Sequence, residues 1–151
     1  MIEKPLRIWY NYGNYRKAVS LTGEKVSLLG SRTILSEVLY NLCDNGIKYN
    51  VSGGRLDVKI SHAPKRAIIT VSDTGIGIPK QHIGRIFERF YRVDKSRSRK
   101  IKGTGLGLSI VKHGVMYHNG TVHVDSESGK GTTFTIELPI EKKTNEQGEN
   151  I

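Results

Sequence analysis

Several absences narrow what this chain can be. Cys43 is its only cysteine, so no internal disulfide can form, which fits a reducing compartment. Its neighbours Leu39, Leu42 and Ile47 are apolar, so it reads as a small core residue, and no adjacent base marks it as a nucleophile. No run of about 18 apolar residues occurs, so no segment is expected to cross a bilayer. The first residues hold no apolar signal core either. Acidic residues are few, 14 Asp and Glu against 24 Lys and Arg, for a net charge of +10. That excess is concentrated. Between Tyr91 and Lys102, Arg92, Lys95, Arg97, Arg99, Lys100 and Lys102 face a single Asp94. Alone, such a run is a solvated loop, a phosphate-gathering loop or a nucleic-acid patch.

What is present is ordinary in bulk and unusual in pattern. The 151 residues make one domain, large enough to build a core without structural metal. At 36% hydrophobic and 25% charged, the composition is that of a soluble globular protein. Seventeen glycines are the notable excess, and they cluster in three segments: Asp73-Thr74-Gly75-Ile76-Gly77-Ile78, Lys102-Gly103-Thr104-Gly105-Leu106-Gly107-Leu108 and Gly129-Lys130-Gly131-Thr132-Thr133. Glycine allows positive φ and close approach to a ligand, and a helix opening behind such a loop offers free N–H groups to phosphate.

The periodicity places these loops among regular elements. Residues 1–16, with Leu6, Ile8, Trp9, Tyr10, Tyr12 and Tyr15, fit no period well and are read as a helix. Lys17–Leu21 and Lys25–Leu29 read as short strands about a Thr22-Gly23 turn. A helix is expected from Arg32 to about Tyr49, with Ser31 as N-cap. Leu56–Ser61 and Ala67–Ser72 read as paired strands. Pro79 opens a helix running to about Phe90, and residues 91–103 form a long basic segment. A further helix runs from near Gly105 to Tyr117 and ends at His118-Asn119-Gly120, residue types that favour the left-handed turn beyond a helix. Thr121–Ser126 and Thr132–Leu138 alternate as strands, and residues 141–151 are a polar, disordered tail. This order implies one sheet covered on one face by three helices.

On the first helix Ile34, Val38, Asn41, Asn45 and Lys48 are spaced 4, 3, 4 and 3, so they line one face. That stripe turns from apolar to amide and ammonium beside Leu42. Buried, it would need a polar ligand such as a phosphate chain with Mg²⁺; at the helix edge it would merely be solvated. Asp73, at a strand end before a glycine turn, is either a helix-capping residue or an acceptor for an adenine amino group, with Ile76 and Ile78 as apolar surface. The 102–108 loop is no Walker A sequence, because its lysine precedes the glycines and no Gly-Lys-Ser/Thr follows. It also lacks the preceding strand and the later acidic residue of a Rossmann fingerprint.

Five stretches then carry a resemblance: Asn41 to Tyr49, Asp73 to Gly77, Phe87 to Arg92, Gly103 to Leu108 and Gly129 to Phe134. In this order they resemble the N, G1, F, G2 and G3 boxes of the ATP-binding domain of bacterial sensor histidine kinases, across roughly residues 25–140. The resemblance implies an α/β two-layer sandwich of the Bergerat type, shared with gyrase B, Hsp90 and MutL, with a mixed, mostly antiparallel sheet. Residues 1–24 would lead into the domain and 91–104 would be the ATP lid. It also implies roles. Asn45 would ligate Mg²⁺, Asn41 would order its shell and Lys48 would reach the phosphates. Tyr49 would flank adenine, Asp73 would bond its amino group, and Gly75, Gly77 and Ile78 would shape the base loop. Lys102, Gly103, Thr104, Gly105, Leu106, Gly107 and Leu108 would wrap the phosphates. Phe87 and Phe90 would dock the near end of the lid, with Tyr91 beside the nucleotide. Arg89 and Arg92 would meet the γ-phosphate or a partner domain, and Thr132 and Thr133 would lie near the adenine.

The departures from the family pattern are as informative. None of the five histidines is followed by the acidic and basic-Thr-Pro residues of a phosphoacceptor, so all five are expected to be surface or capping residues. The chain is therefore expected to be the ATP-binding part of a longer kinase, or a module acting in trans. It would be cytoplasmic, itself monomeric and free of nucleic acid and membrane, within a membrane-anchored homodimeric parent. Its partners would be a phosphoacceptor domain and, through that, a response regulator. Two rivals share the boxes. A gyrase- or Hsp90-type ATPase would carry a glutamate where Asn41 stands, with Glu37 a turn further back. A serine-kinase anti-sigma factor would act on a hydroxyl. A nucleic-acid module would rest on the basic lid alone.

Overall fold

The computed structural model describes residues 2–12, 15–93 and 104–140, with side chains from Lys17 onward. The elements are β1 (Ile2–Tyr12), β2 (Tyr15–Gly23), α1 (Arg32–Lys48), β3 (Arg55–Ala63), β4 (Arg66–Asp73), α2 (Lys80–Ile83), α3 (Gly107–Tyr117), β5 (Thr121–Glu127) and β6 (Gly131–Pro139). Six strands form one sheet in the order β1-β2-β3-β4-β6-β5. Every neighbouring pair is antiparallel except β2 and β3, which run parallel. A parallel pair needs a long crossover, and α1 supplies it.

Strand alternation builds the core. Ala67, Ile69 and Val71 of β4 stand opposite Leu138, Ile136 and Phe134 of β6, and all six are buried. Val38 and Leu42 of α1 and Val111 and Val115 of α3 close over them, giving two layers as expected. The two long helices approach closely at Gly114, where a Cβ would fall 2.5 Å from Val38 Cγ2. Cys43 packs against this cluster, and burial pushes its thiol pKa up. The opposite sheet face is polar. Ser20, Asp57, Ser72, Thr133 and Asp125 form one row across five strands.

The helix ends follow the local rules. Ser31 caps α1, its Oγ accepting from the Ile34 N–H at 3.3 Å. Asn119 takes φ +56° beyond α3. His118 does more than cap: its Nε2 accepts from the Ser31 N–H at 2.9 Å and its Nδ1–H donates to Gly114 O at 2.8 Å. It joins the end of α3 to the start of α1.

Three expectations are corrected. Residues 2–12 form a strand, not a helix, because β1 hairpins onto β2 in continuous register from Leu6–Leu21 to Tyr12–Tyr15. Lys25–Leu29 is no strand: the last sheet bond is Glu24 N–H to Ile60 O, and Val26 and Leu28 then pack inward as the chain leaves for α1. The helix after Pro79 lasts only from Lys80 to Ile83. Beyond it, i→i+3 bonds (Arg85 to His82, Glu88 to Arg85, Tyr91 to Glu88) close separate tight turns, and Phe90 sits at φ +64°. The three expected helices are present, the middle one as a single turn. Residues 141–151 lie outside the described residues.

Candidate functional site

The ends of α1, β4 and α3 converge on a cleft of about 210 Å³. One end is built from the sheet. Asp73 closes β4, and its Oδ1 accepts from the Gly75 N–H at 2.8 Å and the Thr132 N–H at 3.3 Å. Burial raises its pKa, and those two bonds only partly oppose the shift. Thr132 beside it is buried. Ile76, Ile78, Ile86 and Phe134 give apolar walls, and Tyr49 borders the opening.

The 75–78 loop is pinned from both sides. Ile76 N–H donates to Tyr49 O at 3.1 Å, and Ile76 O accepts from Gly129 N–H at 2.7 Å. Ile78 N–H donates to Ser126 Oγ at 2.8 Å. Gly77 sits at φ +71°, and a Cβ there would lie 2.0 Å from Glu127 O. Only glycine satisfies both that φ and that contact.

The other end is made of helix termini. Asn41, Asp44, Asn45 and Lys48 line it from α1, and Thr104, Gly105, Gly107 and Leu108 from the start of α3. Asn41 Nδ2 donates to Glu37 O at 2.8 Å, and its Oδ1 lies 3.0 Å from where a Gly107 Cβ would stand. Lys48 Nζ pairs with Asp44 Oδ2 at 2.7 Å. Among the described residues no side chain caps α3, and the positive end of its dipole favours an anion. Tyr91, Arg92 and Val93 line the third side. Phe90 N–H donates to Gly105 O at 2.8 Å, which ties the two flanks of the basic segment together.

The cleft thus gathers Asn41, Asn45, Lys48, Tyr49, Asp73, Gly77 and Ile78 with Tyr91, Arg92, Thr104, Gly105, Gly107, Leu108 and Thr132. Others stand elsewhere. Gly75 is buried behind Asp73, where a Cβ would meet Tyr49 O at 2.4 Å. Phe87 packs edge-on to Phe134 at 6.3 Å, whereas Phe90 is 70% exposed. Thr133 is on the polar sheet face, bonded to Ser72 Oγ at 2.7 Å. Arg89 lines an adjoining surface hollow with Arg85 and Glu88, and Leu106 lines neither. Lys102 and Gly103 lie outside the described residues.

Two supporting residues had gone unread. Lys17 is 2% exposed, and burial lowers its pKa. Its Nζ donates to Ile47 O and Asn50 O, holding the last turn of α1 that carries Lys48 and Tyr49. A lysine in phase with inward Val19 was the available signal. Ser126 bonds Ile78 N–H, Gly131 O and Thr132 Oγ1, and its inward phase between Val124 and the 129–131 turn was equally legible.

Residues 30–142 match the model of the histidine kinase-, DNA gyrase B- and HSP90-like ATPases. The chain belongs to that family. Sensor histidine kinase RppB of Synechocystis is 47% identical over 120 residues, covering 80% of this chain and 26% of that protein. Sensor histidine kinase WalK of Bacillus subtilis is 44% identical over 111 residues, covering 72% and 18%. Among solved structures, the mycobacterial sensor histidine kinase MprB superposes with a TM-score of 0.73 at 35% identity, covering 80% of this chain and 82% of that one. The two-layer fold is that of the ATP-binding domain of sensor histidine kinases. The chain spans about a quarter or less of the length of RppB and WalK. Among the described residues no helix is long and apolar enough to cross a membrane.

Proposed function

We propose that this chain binds Mg-ATP in the cleft and presents the γ-phosphate to a histidine on a separate phosphoacceptor domain. One observation carries the reading: the half-buried Asp73 carboxylate, lining the cleft between apolar walls. Both protein donors use its Oδ1, so the group keeps acceptor capacity for the adenine amino group. Ile76, Ile78 and Tyr49 would hold the ring, with Thr132 beside Asp73. Lys48, Lys102 and the 103–108 backbone would take the phosphates. Arg92, and Arg89 from the adjoining hollow, would meet the γ-phosphate or the partner domain.

The donors at the α1 end fit Mg²⁺. Among the described residues no group of three or more His, Cys, Asp or Glu converges. The amide oxygens of Asn45 and Asn41 are hard donors suited to a cation that takes its remaining ligands from phosphate and water. Bound there, Mg²⁺ would neutralise phosphate charge. The rest of the work of phosphoryl transfer is positioning and electrostatics. The general base and the acceptor histidine would come from the partner, and a response regulator would receive the phosphoryl group from it. In the longer protein this domain would be the cytoplasmic part of a membrane-anchored, dimeric sensor.

The test is incubation with γ-labelled ATP, alone and with the phosphoacceptor domain of a related sensor kinase. The chain alone should bind nucleotide and remain unlabelled. Added acceptor should become labelled, with the label lost in acid and kept in alkali. Self-labelling at any of the five histidines would overturn this division of labour.

A further inference from the structure

One charge in the cleft works against the ligand it would hold. Asp44 lines the phosphate end, and its Oδ2 lies 2.7 Å from Lys48 Nζ. The two side chains are only 28% and 22% exposed, so water screens the pair less than at an open surface. A carboxylate paired with that lysine competes with the phosphates for the cation that should meet them. Neither Asn41 nor Asn45 on the same helix face carries a charge, so Asp44 is the anion that α1 contributes to this end. Lysine is a mobile point charge with three donors, so it can pass from one oxyanion to another.

We propose that Asp44 is a specificity-determining counter-ion that holds Lys48 and must yield it to the phosphate chain when nucleotide binds. Resting on the ATP reading above, this makes Asp44 a brake on the phosphate contribution to binding that leaves the base contribution untouched. Affinity then depends on the phosphates offering Lys48 more than Asp44 does. ATP gains over adenosine by less than an uncontested lysine would allow, and product can leave more readily.

Calorimetric titration with adenosine and with ATP in excess Mg²⁺ tests this on the wild type, Asp44→Asn, Lys48→Met and the double variant. Asp44→Asn should bind ATP about threefold to fivefold more tightly, the scale of a partly screened ion pair, and bind adenosine as the wild type does. In the Lys48→Met background the same substitution should change ATP affinity less than twofold, because the effect runs through that lysine. Weaker ATP binding by Asp44→Asn would overturn the proposal, showing that the carboxylate helps to hold the metal or chain. An equal gain without Lys48 would overturn it too, as would loss of adenosine binding, which marks a structural role. If the wild type binds neither ligand, the nucleotide reading itself fails.

Discussion

The two ends of the cleft are built on different principles. The end around Asp73 is an extension of the sheet: its groups are fixed by backbone bonds from β6, from the turn after α1 and from the β5–β6 turn. The end around Asn45 consists of side chains on helix termini, with a partly exposed ion pair between Asp44 and Lys48 and Arg92 on its flank. Rigid backbone suits recognition of a flat base by shape and one hydrogen bond. Mobile charges suit a phosphate chain that must be gripped, moved and released. On this account base selectivity is set by folding, and phosphate affinity is set by electrostatics.

The largest expected effect breaks the rigid end. Gly77→Ala puts a Cβ 2.0 Å from Glu127 O at φ +71°, so the 75–78 loop must leave the β5–β6 turn. Thermal unfolding should report a loss of about 2–4 kcal/mol, with adenosine and ATP affinity falling together. An unchanged melting temperature would show that the loop is not pinned as described.

A smaller and more selective effect is expected at the other end. Asn45→Ala should remove the Mg²⁺-dependent part of ATP binding, about tenfold or 1.4 kcal/mol, while adenosine binds as before and the melting temperature stays within a degree or two. Calorimetry with and without Mg²⁺ checks this. Equal losses for ATP and adenosine would erase the distinction between the two ends.

The smallest effect is one of pH. Burial holds the Asp73 carboxyl above its ordinary value of 3.8, so the folded chain favours the protonated form. Its contribution to stability is fully present below pH 3.8 and is lost as pH rises through the raised value. Asp73→Asn should flatten the melting-temperature profile of the unliganded protein in that interval. Parallel profiles for the two proteins would show that Asp73 is not the titrating group.

Much of this arrangement was legible in the residues, and the exceptions have physical causes. The 4, 3, 4, 3 spacing from Ile34 to Lys48 gave α1 and the face that carries Asn41 and Asn45, and Ser31 gave its start. Asp73 alone was ambiguous, because a carboxylate at a strand end before glycines is as often a cap as a ligand acceptor; only the resemblance singled it out, and the structure places it in the cleft. Alternation should have separated Thr132 from Thr133, since neighbours in a strand point to opposite faces. The β1 strand was hidden because pairing with β2, more than a clean period of its own, makes it a strand. The turns after Ile83 were hidden because tertiary packing of Ile86 and Phe87 overrides the helical pattern. Lys17 escaped notice because its role, holding carbonyls at the end of α1, exists only once β2 lies beneath that helix.

The most direct test of the account is calorimetric titration of Mg-ATP into wild type and Asp73→Asn. The variant should keep its fold, because an amide oxygen still accepts from Gly75 and Thr132. Its affinity should drop by at least ~1–3 kcal/mol, roughly tenfold to a hundredfold or more, because an amide N–H would then face the adenine amino donor. Unchanged ATP affinity in a folded Asp73→Asn protein would contradict the assignment of this end of the cleft to the base.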